Sequence, residues 1–284
     1  MKIGISQIVY YEFDSHPLSV GDVRRLWELL AILKRSAKAY VYQTTEEPSA
    51  GIELRCGDVE AYNRLFYDSS GSFWGGFDCL KSSSSSNGLV DAEFGFGCKQ
   101  SSRWKGVDTL PDSSLYFSES LLNEVGWRDI ASVFKNHFEL ADSANALSGF
   151  IDVGSADHLF SGMVFESIVL PKMPLYRWVE QARWVTTGKH KFNRLRGLYW
   201  GNYFSSKTIA ALDTVCNGDF LNSYKSQARY ADGESNGIIW ELRNGIFVSI
   251  SLSPLDCEPG KPIDLSTQNN LVWLVEKLLL ADLM

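Results

Sequence analysis

The chain is 284 residues long, 45% hydrophobic and 21% charged, with a net charge of −7. That length supports a sizeable core, and the acidic balance argues against nucleic acid as the main partner, because phosphate contacts need Lys and Arg. The odd set Cys56, Cys79, Cys98, Cys216 and Cys257 has no CxxC spacing, which argues against a zinc site or a disulfide framework.

In chain order, Ile3 to Phe13 has strand composition, and a helix starts near Ser19, with Asp22 three residues on in a capping-box arrangement. Leu26, Leu29, Leu30 and Leu33 give that helix one apolar face. Ala39 to Thr44 and Ile52 to Arg55 read as strands, and Asp58 to Tyr67 as a helix capped by Asp58. Ser69 to Gly88 reads as a loop, with Phe73-Trp74-Gly75-Gly76-Phe77 inside it and a serine run, Ser82 to Ser86. Ser114 to Leu121 is strand-like. Trp127 to Asp142 is a helix with Ile130, Val133, Phe134, His137 and Phe138 on one face, so His137 is expected as a core residue and not a ligand. Ala146 to Val153 is the next strand.

Pro174 to Thr186 reads as a basic helix. An aromatic strand at Leu198 to Phe204 and a helix at Ser206 to Val215 follow. Ile238 to Arg243 and Ile246 to Leu252 form a hairpin joined by Asn244-Gly245, both of which would take positive φ. A terminal helix begins near Ser266, with Leu271, Leu274, Val275, Leu278 and Leu279 on one face. Strands and helices alternate with a hairpin mixed in, which predicts an α+β fold with a mixed or antiparallel sheet packed with helices. The expected organisation is a single domain over 1–284. Its first and middle thirds are open to reading as two similar β-α-β units, with sub-units 1–110 and 111–284.

The charge is unevenly spread. From Tyr40 to Glu93 nine acidic residues stand against three basic ones, and from Lys172 to Arg196 seven basic residues against one acidic, Glu180. No GxSxG, P-loop, HExxH or complete GxGxxG motif occurs. Gly154-Ser155-Ala156-Asp157-His158 gathers Ser, Asp and His, but side chains of a triad converge from different elements, and a polar loop explains the run better. The reading is therefore a binding protein and not an enzyme, without cofactor or metal. A small-molecule enzyme of unrecognised type is the alternative. The start, Met1-Lys2-Ile3-Gly4-Ile5-Ser6, lacks the blocks of a signal peptide, and no apolar run approaches the roughly 20 residues of a membrane helix. A cytoplasmic protein with no membrane partner is expected.

One segment carries a family likeness. Arg196-Gly197-Leu198-Tyr199-Trp200-Gly201-Asn202-Tyr203-Phe204, with Ser205 and the helix after it, resembles a strand–helix motif of bacterial immunity proteins that accompany polymorphic toxins and type VI secretion effectors. Gly197, Trp200, Gly201, Tyr203 and Ser205 match that pattern. Phe204 stands where an aliphatic residue is usual, and Leu212-Asp213-Thr214 replaces a Leu-Gly-Gly helix end. The resemblance implies a cytoplasmic α+β protein that binds and neutralises a cognate toxin or effector, and in one such family the toxins are restriction-endonuclease-like nucleases. A nuclease site is basic because it holds phosphates, so the acidic stretch is the expected contact: Glu46, Glu47, Asp58, Glu60, Asp91 and Glu93, with Trp74 as an aromatic anchor. Gly197, Trp200, Gly201 and Tyr203 are expected to be structural.

Overall fold

A computed structural model describes residues 3–11, 20–33, 36–42, 52–55, 58, 60, 75–80, 92–99, 102–104, 107–109, 112–155, 195, 198–228, 235–253 and 264–283. By packing, the chain divides into one unit of Met1–Ala146 with Ser155–Asp157 and another of Leu147–Gly154 with His158–Met284.

In the first unit, strands β1 (Ile3–Tyr11), β2 (Ser36–Tyr42), β3 (Ile52–Arg55), β4 (Gly75–Leu80), β5 (Ala92–Lys99) and β8 (Asp112–Ser118) lie in the order β1-β8-β5-β4-β2-β3. Every one of these pairings is antiparallel. A separate small hairpin joins β6 (Ser102–Trp104) to β7 (Val107–Thr109). Helix α1 (Val20–Leu29) runs into a 3₁₀ turn at Leu30–Leu33, and α2 (Glu119–Val125) and α3 (Trp127–Ser143) follow β8 directly.

The break between β8 and α2 is local chemistry. Ser118 Oγ accepts the Leu121 N–H at 3.3 Å, capping a helix where the sequence reads as strand to Leu121. Gly126, at φ 92, then separates α2 from α3, a conformation that L side chains rarely adopt. The core forms where α3 meets the sheet. Leu115 and Phe117 of β8 are buried with Ile130, Val133, Phe134 and Phe138. Phe117 meets Phe134 edge-on at 5.3 Å, the geometry ring quadrupoles favour. The apolar face expected of this helix is the buried one, and His137 lies within it, fully buried.

The second unit is a four-stranded antiparallel sheet, β9-β10-β12-β11, with helices α4 (Ser206–Val215), α5 (Phe220–Gln227) and α6 (Leu265–Leu280). Its strands are β9 (Ala146–Ser155), β10 (Gly201–Ser205), β11 (Ile239–Glu241) and β12 (Gly245–Ser249). Both units combine helices with antiparallel sheet, the α+β class expected. Two similar β-α-β units are not confirmed: β1 bonds to β8, and β2 lies between β4 and β3.

Several local expectations change. Gly75-Gly76-Phe77 belongs to β4 and not to a loop, with Gly76 opposite Gly97 and Phe77 opposite Phe96. Phe94-Gly95-Phe96-Gly97 is likewise strand. Glycine disfavours strands intrinsically, and here two neighbouring strands hold the backbone by ladder bonds that no local pattern encodes. The hairpin near the end exists with another turn. Glu241 pairs with Ile246, so Arg243 and Asn244 are the connecting residues and Gly245 is the first residue of β12. Asn244 is not among the described non-glycine residues with positive φ, which are Asn145, Asn217 and Asp282. The Pro174 to Thr186 helix and the Gly154 to His158 run beyond Ser155 lie outside the described residues.

Burial lowers the His137 pKa from 6.5 to about 3. Between those values the unfolded chain binds a proton that the native state excludes, so stability falls as pH drops from about 6.5 towards 3. At pH 4.5 the loss relative to neutral pH is about 2–3 kcal/mol. His137→Gln should shrink the difference in unfolding free energy between these two pH values, measured by urea titration, by that amount. An unaltered pH dependence in the variant would contradict the assignment.

Candidate functional site

Leu198, Tyr199 and Trp200 lead into β10, and all three, with every residue of β10, are buried. Asn202 makes this entry rigid. Its Oδ1 accepts the Tyr199 N–H at 3.0 Å and its Nδ2 donates to the Tyr199 carbonyl at 2.8 Å. Two backbone groups in the dry interior are thereby satisfied by one side chain. The Tyr199 ring stacks on Phe150 of β9 with centroids 3.7 Å apart.

The glycines of this region are set by close approach. In the β10–β12 register Tyr203 faces Phe247, Gly201 faces Ser249 and Ser205 faces Gly245. The Phe247 ring lies over Gly201, where an added Cβ would sit 2.3 Å from its Cζ. The Tyr203 ring lies over Gly245, whose added Cβ would be 2.5 Å from Tyr203 Cε2 and 2.6 Å from the Phe204 carbonyl oxygen. Each strand therefore supplies one aromatic ring and one bare backbone to the other. On β11, Trp240 stacks on Phe247 at 4.3 Å and extends the layer.

Trp200 Nε1 donates to Ser251 Oγ at 2.8 Å, and Ser251 Oγ donates to the Ser253 carbonyl at 2.9 Å. Ser249 Oγ accepts the Ile238 N–H at 2.8 Å and donates to the Ser251 carbonyl at 2.6 Å. Tyr224 of α5 donates its hydroxyl to the Ser249 carbonyl at 2.7 Å, and burial pushes its pKa above the usual phenol value. Asn270 of α6 donates to Asn236 Oδ1 at 2.6 Å, both residues being fully buried. This network ties both helices to the end of the sheet. Only Trp200 among its members was singled out by sequence. The alternating Ser249, Ser251 and Ser253 after an apolar run was the available signal.

At the helix after the motif, Ser205 Oγ accepts the Thr208 N–H at 3.4 Å. The helix runs Ser206–Val215, as its sequence predicts. Beyond it, Asp213 performs a capping role: its Oδ1 accepts the Phe220 N–H at 2.8 Å. Asn217 and Gly218, at φ 54 and 86, supply the left-handed turn.

The acidic residues are placed unevenly. Asp58 Oδ1 accepts the Glu60 N–H at 3.0 Å, as an N-cap does; Asp58 is half-buried and Glu60 exposed. Glu93 is a residue of β5. Glu46, Glu47, Trp74, Asp91 and Gly197 lie outside the described residues. Among the described residues no group of three or more His, Cys, Asp or Glu could hold a metal ion, and no helix is long and apolar enough to cross a membrane.

Two consequences can be measured by urea unfolding. Trp200→Ala should cost about 3–5 kcal/mol, through lost burial and the lost indole hydrogen bond to Ser251. Gly245→Ala should cost about 1–3 kcal/mol because the Phe204 carbonyl cannot retreat. A cost under about 0.5 kcal/mol would contradict the close-approach explanation of this glycine.

No protein-family model matches the chain, and no curated protein matches it by sequence. Among solved structures, it is similar to the Pseudomonas aeruginosa T6SS protein PA0821, a type VI secretion system protein. The likeness covers 97% of this chain and 72% of that one, with a TM-score of 0.56 and 11% identity. At that identity the likeness is one of fold.

Proposed function

We propose that this chain is an immunity protein that binds and neutralises a cognate type VI secretion effector in the cytoplasm, by occlusion and not by catalysis. The observation that carries the reading is a fold shared along 97% of the chain with a type VI secretion protein. The resemblance of the Gly197-to-Ser205 segment to an immunity-protein motif supports it. Because Trp200, Gly201 and Tyr203 are enclosed, recognition falls to other surfaces. The nine acidic residues against three basic between Tyr40 and Glu93 suit a basic effector surface, such as the phosphate-holding site of a nuclease. Acidic groups there would steer association and exclude the natural substrate.

Affinity capture of the tagged chain from its own cells, washed at high salt, should retain one effector-like protein in near equal amount. Recovery of no partner from cells that express a candidate effector would refute the proposal. With the partner in hand, charge reversal at Glu46, Glu47 and Glu60 together, which leaves the Asp58 cap in place, should slow association and weaken binding about tenfold or more, with little change in the unfolding midpoint. Unchanged binding would remove the acidic stretch from the interface and leave the immunity reading standing.

A further inference from the structure

The inward face of α6 (Leu265–Leu280) carries Leu271, Leu274, Val275 and Leu278, with Thr267 and Asn270 buried beside them. Leu279, which the sequence pattern places on that face, is 49% exposed. Thr267 is satisfied by the helix cap, since its hydroxyl donates to Asp264 Oδ2 at 2.6 Å. Asn270 is only half satisfied. It is fully buried, as is Asn236 shortly before β11. Asn270 Nδ2 donates to Asn236 Oδ1 at 2.6 Å and to the Ile250 carbonyl at 3.4 Å. The Asn236 backbone N–H reaches the Ala228 carbonyl, at the end of α5, at 3.2 Å. Asn236 Nδ2, a donor, and Asn270 Oδ1, an acceptor, have no hydrogen-bond partner among the described residues.

Turning an amide over does not remove the problem. Asn270 Nδ2 lies against two acceptors, so reversing that side chain alone would set oxygen against oxygen at both contacts. Reversing Asn236 alone would set nitrogen against nitrogen. Reversed together, the amides still bond to each other but lose the Ile250 contact, and another donor and acceptor are left over. The assignment is therefore fixed by the contacts. Each leftover atom carries its desolvation cost, and folded proteins commonly meet such a cost with an ordered water that makes about three hydrogen bonds.

We propose that one internal water molecule binds at this joint, accepting from Asn236 Nδ2 and donating to Asn270 Oδ1. The free atoms are one donor and one acceptor on amides already in contact, and water offers both functions in a single atom. A cation would face the Asn236 N–H groups, and an anion would face Asn270 Oδ1. An apolar occupant would leave both atoms unsatisfied. The Ile250 carbonyl, bonded to Asn270 only at 3.4 Å, is the acceptor for the second hydrogen of the water. The water thereby joins α6 to the segment before β11, and through the Asn236 backbone to the end of α5. This site is independent of the immunity reading.

The test is a crystal structure of the full chain at a resolution that shows ordered water. One water should lie within about 3.2 Å of both Asn236 Nδ2 and Asn270 Oδ1. No density there, or a side chain or peptide group of this chain bonded to both atoms, would overturn the proposal. In solution, the Asn236 side-chain amide protons of the labelled chain, assigned by triple resonance, should show nuclear and rotating-frame Overhauser effects to water of opposite sign. That is the signature of a bound water, and effects of equal sign or none would count against it. Asn236→Leu removes the donor, so its crystal structure should lack the water and keep α6 in place. A water retained at the same position would assign it to other groups and overturn the pairing; the two measurements on the parent stand even if this variant does not fold.

Discussion

The second unit depends on the reciprocal covering of glycine by aromatic rings between β10 and β12. Tyr203 and Phe247 stand opposite each other, and each ring extends over the glycine diagonal to it, Gly245 and Gly201. Strand glycines normally weaken a sheet by exposing backbone and leaving a gap in packing. Here the ring fills the gap and excludes water from the ladder bonds beneath. The arrangement fixes register, because a slip of one residue would put a Cβ where a ring must lie.

The buried polar groups follow from that layer. Once Trp200 is enclosed beside β12, its indole N–H needs an acceptor, and Ser251 supplies it at 2.8 Å. Tyr224 and Asn270 make the corresponding bonds from α5 and α6 to the sheet end, to the carbonyls of Ser249 and Ile250. Such bonds add modest net stability but are costly to leave half-made, so they select one placement of each helix over neighbouring ones. Two contacts at α5 fit this scheme. Phe204 meets Phe220 of α5 edge-on at 5.7 Å. Asp213 reaches the start of the same helix. Both contacts concern how α5 is attached, an element that the sequence pattern did not disclose.

An enclosed motif identifies a fold and leaves the partner to be chosen by surface residues. In the proposed immunity protein, the strand that carries the family likeness would be kept for packing, while charge sets the effector. That division lets a scaffold persist as its target changes, since surface substitutions rarely disturb the core.

The sequence by itself determined the α+β class, the inward face of α3 with His137 in it, and the limits of α4. These features rest on local rules: helical periodicity of apolar residues, and serine or aspartate caps that bond within three residues of themselves. It also singled out Trp200 and Gly201, both of which the structure buries. Only the tertiary structure decided that Gly75-Gly76 and Gly95 to Gly97 are strands, and that Ser118 ends β8. It alone showed that Gly245 is required by the Tyr203 ring and not by turn geometry, and that Leu279 faces outward. Each of these depends on what a distant segment places beside the residue. A glycine reads alike in sequence whether its missing side chain makes room for a turn or for a ring, and the difference exists only once another strand lies against it.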